Sequence, residues 1–143
     1  MRMKELLKQL EQLLNEKDLD LLKIQKLKTE ILKNHIKGLK IENYIGDYPT
    51  FMEPVILGDK VKIGDDVLIG PKVYIGNDSV IEDYAEISNS IIFDNVKIGK
   101  NFKLDNCIII NDSKLNFDNF SSKNCILKGI AESEEELEII RER

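Results

Sequence analysis

Between positions 45 and 87 a large aliphatic or aromatic residue stands at every sixth position: Ile45, Phe51, Leu57, Ile63, Ile69, Ile75, Ile81 and Ile87. A small or medium residue lies two positions before all but the first, at Pro49, Val55, Val61, Val67, Val73, Ser79 and Ala85. Glycine follows five of these anchors, at Gly46, Gly58, Gly64, Gly70 and Gly76. A period of six fits neither the 3.6 spacing of a helix nor the simple alternation of a long strand. It fits a solenoid of short strands, each of which turns one corner. Three such faces close a turn of about eighteen residues, so residues 41–130 supply about five coils of an all-β solenoid. The polar pairs after the anchors, such as Gly64-Asp65 and Gly76-Asn77, make the corners, with glycine expected to supply a positive φ.

After Ile87 the rhythm slips. Ile92, Ile98 and Leu104 resume the six-spacing one residue early, and a second slip leads to Ile109 and Leu115. Slips of this kind shorten or bulge one face. Residues 1–40 have a different pattern and read as an α-helical arm, either a hairpin or one bent helix. Leu6, Leu10 and Leu13 form one stripe, flanked by Leu7 and Leu14; Ile24, Leu27, Ile31, Leu32, Ile36 and Leu39 form another. Asp18 is the expected N-cap of the second helix and Gly38 its left-handed stop. Residues 131–143 open with Ser133-x-x-Glu136 before Leu137, Ile139 and Ile140, the pattern of a capped, acidic C-terminal helix.

The net charge of −5 is unevenly spread. The arm carries ten Lys/Arg against six Asp/Glu, the coils nine against fourteen, and the tail two against six. The arm's lysines interleave with its leucine stripes, so they form the wet face of amphipathic helices rather than a nucleic-acid patch. No apolar run reaches the length of a membrane span and no signal-peptide pattern opens the chain, so a soluble, cytoplasmic protein is expected. Cys107 and Cys125 lie eighteen residues apart, one full turn, and should stack inside the coils as a reduced, packed pair; a disulfide or metal site is the alternative.

The segment PVILGDKVKIGDDVLIGPKVYIGNDSVIEDYAEISNSIIFDNVKIG resembles the hexapeptide-repeat transferase superfamily, which implies a left-handed parallel β-helix. Within it, AEISNSIIFDNVKIGKNFKLDNCII is similar to the C-terminal solenoid of sugar-1-phosphate nucleotidyltransferases, in which an Ile-x-Asn-Ser turn precedes short, unequal faces. The resemblance spans residues 45–129. In those nucleotidyltransferases a Rossmann-like domain precedes the solenoid and performs the chemistry, whereas here the preceding forty residues read as helix. Acyltransferases of the superfamily use a coil histidine as general base, and residues 41–143 contain no histidine. The resemblance also implies a homo-oligomer, with a trimer favoured.

Three sets of residues could still carry function. His35, the single histidine, could act as a catalytic base if the arm crossed a neighbouring coil; otherwise it is a partly packed helix residue. Tyr44, Tyr48 and Phe51 cluster at the first coil, where they could bind a sugar or nucleotide ring or seal the solenoid's end. Asp47, Asp65 and Asp83 repeat at eighteen and should stack along one corner, as solvated turn residues or as ligands for Ca²⁺. The favoured function is a non-catalytic assembly or regulatory subunit that partners a sugar-nucleotide enzyme and needs no cofactor. The alternatives are an acyltransferase using acetyl-CoA on a sugar or nucleotide-sugar, and a nucleotide-sugar sensor.

Overall fold

The computed structural model describes residues 2–41 and 44–142. The chain winds into a left-handed parallel β-helix of about five turns. Its three faces are built from short strands in register. The first face stacks Leu39–Lys40, a strand where Leu39 was expected in the helical stripe, then Val55–Leu57, Val73–Ile75 and Ser90–Ile92, and the second halves of Phe102–Ile109 and Phe120–Lys128. The second stacks Lys62–Ile63, Val80–Ile81, Lys97–Ile98, Lys114–Leu115 and Ile130–Ala131. The third stacks Thr50–Phe51, Leu68–Ile69, Glu86–Ser88 and the first halves of the two long strands. Anchors from all three faces, among them Ile63, Ile69, Ile75, Ile81 and Ile87, fill one continuous interior.

Ile45 breaks the anchor series. It bridges to Lys62, one residue out of step with the later coils, and its side chain is 56% exposed while Tyr44 packs against the interior instead. The corners also differ from expectation. At most of them the residue with positive φ is not the glycine but a Lys, Asp or Asn two positions later, such as Lys60, Asp66 and Asp78. Asn and Asp tolerate this region because their short side chains bond locally. Gly58, Gly64 and Gly76 are small for another reason: a Cβ at each would run into Asn77, Asp83 or Asp94 of the next coil. Those same side chains accept the amides of Asp59, Asp65 and Asn77, each at 2.8 Å.

The slips are single-residue deletions at one corner. Val55 pairs with Val73 eighteen residues on, but Ile75 pairs with Ile92 and Ile91 with Ile108 only seventeen on. The shortened corner turns on Asn89, Asn106 and Asn124, all with positive φ. Asn106 donates its amide to the Asn124 side chain at 2.7 Å, and Asn89 donates to Asp105 at 2.9 Å. Lacking a two-residue loop, the strand runs straight through, which gives the long Phe102–Ile109 and Phe120–Lys128.

The arm is a helical hairpin, α1 (Met3–Leu14) and α2 (Leu21–Glu30), extended by a π-helical turn over Ile31–His35. Asp20, not Asp18, caps α2, accepting the Lys23 amide at 3.2 Å, and Gly38 ends the arm at φ 70° as expected. The hairpin lies flat on the first face rather than sealing an end. Leu6, Leu7, Leu10, Ile24, Ile31 and Ile36 pack onto the outward side chains Ile56, Tyr74, Ile91, Ile108 and Ile126, which follow one another in register up that face. Burial, then the nearby Asp94 carboxylate, pushes the Tyr74 phenol up to about 12, so it packs as a neutral ring.

The C-terminal helix does not form. Glu136 does reach back to accept the Glu132 amide at 3.1 Å, but Ser133 caps nothing and a single 3₁₀ turn, Glu134–Glu136, results. Beyond it Glu138–Arg141 pairs antiparallel with the last coil. Ile139 packs towards the interior and Ile140 towards the arm, a two-residue alternation that a strand satisfies and a helix does not. The ladder bonds of the open coil edge favour that choice. Lys28 of α2, 2% exposed, locks this tail: its ammonium lies 2.8 and 2.7 Å from the two Glu142 oxygens and donates to the Asn106 carbonyl at 3.2 Å.

Two mutational results are expected. Ile108→Ala, although outward-facing, should lower stability by about 2–5 kcal/mol, as much as the inward Ile109→Ala, in chemical denaturation. Lys28→Ala, which strands a buried Glu142 carboxylate, should cost about 3–5 kcal/mol, while Lys28→Met with Glu142→Leu should be nearly neutral.

Candidate functional site

With the first face clad by the arm, the third face remains open and carries a groove of about 600 Å³. Period-two alternation sets its floor. The inward anchors hold the core, and the outward partners Leu68, Glu86, Lys103 and Ser121 follow one another in register. Leu68 and Pro71 give the groove an apolar end, and Lys103 lies 3.4 Å from Glu86 across its centre. Both partners of that pair are about half exposed, so it orders the surface more than it stabilises it.

The wall towards the arm is polar. One Asp105 oxygen accepts from the Ser88 hydroxyl and from Asn89, each at 2.9 Å, which fixes the carboxylate as an acceptor. Ser122 lies on the last coil, in register with the inward anchor Leu104. Its hydroxyl oxygen accepts from the Arg141 guanidinium at 3.2 Å and lies 3.2 Å from the Cys125 sulfur. Cys125 is in register with Cys107, both are buried and unbonded, and their sulfurs are 3.3 Å apart. The stacked pair expected from the eighteen-residue spacing is therefore present. Arg141 and Ser122 had no signal in the sequence, because their meeting depends on the tail folding back as a strand.

The other sequence-predicted residues lie elsewhere. His35 ends the π-helical turn with its Nε2 3.6 Å from Glu30, and it does not line the groove. Tyr44 and Phe51 meet edge to face at 5.4 Å and pack against the first coil's interior, the geometry of an end seal. Tyr48 is separated from them in exposure: it is 94% exposed at a corner with φ 57°. Asp65 and Asp83 belong to the corner ladder, Asp83 accepting the Asp65 amide. Among the described residues no three His, Cys, Asp or Glu side chains converge as a ligand set. No helix among them is long and apolar enough to cross a membrane.

No curated protein sequence matches the chain. Among solved structures, it is similar to the crystal structure of a hexapeptide-repeat-containing acetyltransferase from Vibrio cholerae O1 biovar eltor complexed with acetyl coenzyme A. The identity is 18%, over 97% of this chain and 86% of that one, with a TM-score of 0.31. A family model described as the GMPPB C-terminal domain matches residues 51–142, the greater part of the coils together with the folded-back tail. The chain belongs to the GMPPB C-terminal domain family.

Proposed function

We propose that the protein is a non-catalytic assembly or regulatory subunit of sugar-nucleotide metabolism, and that it docks a sugar-nucleotide enzyme against its first coil. The observation that carries this reading is the inequality of the solenoid's two ends. The last coil is closed from within, by Leu137 packed into the interior and by the antiparallel strand Glu138–Arg141. The first coil is plugged by Tyr44 and Phe51, yet it leaves Ile45 56%, Tyr48 94% and Met52 48% exposed. Solenoid ends ordinarily carry a polar cap, and exposed aromatic and Met side chains are enriched where partners bind. Tyr48 also occupies the left-handed region, a cost of about 1–3 kcal/mol that a turn residue such as Asn would avoid.

Most of the arm's apolar stripe is spent on its own first face, although Leu22 stays exposed. In the nucleotidyltransferases that the sequence resembles, the catalytic domain precedes the solenoid and so approaches it from the first-coil end. A separate enzyme bound at that end would reproduce the arrangement between two chains. Self-association as a trimer fits the same picture, since the arm leaves two faces bare.

The test mixes the protein with the purified sugar-1-phosphate nucleotidyltransferase of the same organism and reads complex mass by light scattering and enzyme rate together. A complex and an altered rate are expected. Both should weaken more than about tenfold for Ile45→Ser/Tyr48→Ser/Met52→Ser, the loss expected when at least one truncated residue is a hot spot. No complex, or a complex indifferent to the triple variant, would contradict the proposal.

A further inference from the structure

The last two coils hold a chemical arrangement that docking does not use. Cys107 and Cys125 stack in register on neighbouring strands. Adjacent strands lie about 4.8 Å apart, inside the Cα separation of about 4.4–6.8 Å that a disulfide requires. Their sulfurs already face each other at 3.3 Å. Around Cys125 the groups are ordered: the Arg141 guanidinium donates to Ser122, and the Ser122 hydroxyl sits 3.2 Å from the Cys125 sulfur. Ser122 is in register with the inward anchor Leu104, so its hydroxyl lies on the same side of the strand as the core and contacts the Cys125 sulfur from there.

We infer that Cys107 and Cys125 form a peroxide-reactive dithiol, with Cys125 as the attacking sulfur and Cys107 as the resolving thiol. The step balances with a hydroperoxide as oxidant. The Cys125 thiolate attacks the near oxygen of hydrogen peroxide; the S–O bond forms, the O–O bond breaks, and the departing hydroxide takes up a proton to become water. Cys107 then attacks the sulfur of the resulting sulfenic acid. The S–S bond forms, the S–O bond breaks, and the second hydroxide leaves as water with the Cys107 proton. Two thiols lose two protons and two electrons, and the peroxide is reduced to two waters.

The electrostatics assign the two roles. The Cys107 thiol donated to Cys125 is the largest influence holding Cys125 below its ordinary value. Burial and the Glu142 charge oppose it, while Ser122 and the Arg141 charge reinforce it. Cys107 is pushed up in turn, chiefly because it is the donor in that bond and also because it is buried. That asymmetry, with Ser122 and Arg141 placed on the Cys125 side of the pair, favours Cys125 as the attacking sulfur.

The experiment treats the native full chain with hydrogen peroxide, quenches with N-ethylmaleimide in denaturant and reads the intact mass. Both thiols should be lost together, with the mass lower by two hydrogens and restored by dithiothreitol. The native chain should react faster than the same chain in urea. In Cys107→Ser, Cys125 should stop as a sulfenic acid that dimedone captures, whereas in Cys125→Ala, Cys107 should remain a thiol at the same dose. Two intact thiols after treatment, or a native rate no faster than the unfolded one, would overturn the inference even if the variants did not fold. So would oxidation of Cys107 at the wild-type rate in Cys125→Ala.

Discussion

One sheet of this solenoid is apolar on both surfaces, and the rest of the architecture follows from covering it. Inward, Val55, Val73, Ile92, Ile109 and Leu127 join the common core. Outward, Ile56, Tyr74, Ile91, Ile108 and Ile126 make a second apolar ladder that water would otherwise meet. Fully burying a side chain of that size contributes about 1.5–3 kcal/mol, so a continuous ladder of five strongly favours a cover. The two helices supply it. Helices of twelve and ten residues are marginal in water alone, so the arm and the face order each other.

That pairing decides what the remaining surfaces can do. The arm occupies the first face, the tail strand closes the last coil, and Lys28 ties arm to tail through Glu142. A buried ion pair of this kind adds little net stability against an apolar pair, but it penalises any docking of the hairpin that would leave one charge alone. The second and third faces and the first-coil end stay open. The groove and the exposed Ile45, Tyr48 and Met52 lie on those open surfaces, whereas the cysteine pair is buried between the last two coils.

Much of the fold was legible in the sequence because each inward anchor obeys a local rule. The six-residue period located the coils, the leucine stripes the helices, and the eighteen-residue spacing the stacked cysteines. What could not be read depends on partners distant in the chain. Ile91-Ile92 and Ile108-Ile109 look like anchors out of step; one residue of each pair points outward to the arm, and no local period reveals which. Ile139-Ile140 suits an amphipathic turn until an open strand edge is offered to it. Glycine looked like the left-handed corner residue, but its smallness answers a side chain a full turn away, as at Gly64 beneath Asp83. Of the candidate site, Tyr44 and Phe51 were visible as part of a cluster at the first coil, whereas the Arg141–Ser122–Cys125 contact exists only once the tail has folded back.

Native-state hydrogen exchange on the intact chain tests the mutual dependence of arm and face most directly. If the helices and the clad sheet are one cooperative unit, the amides of Met3–Leu14 and Leu21–Glu30 should open with the same free energy as those of Val73–Ile75 and Ser90–Ile92. Helical amides that exchange orders of magnitude faster than the sheet, as those of a frayed hairpin would, would contradict the account.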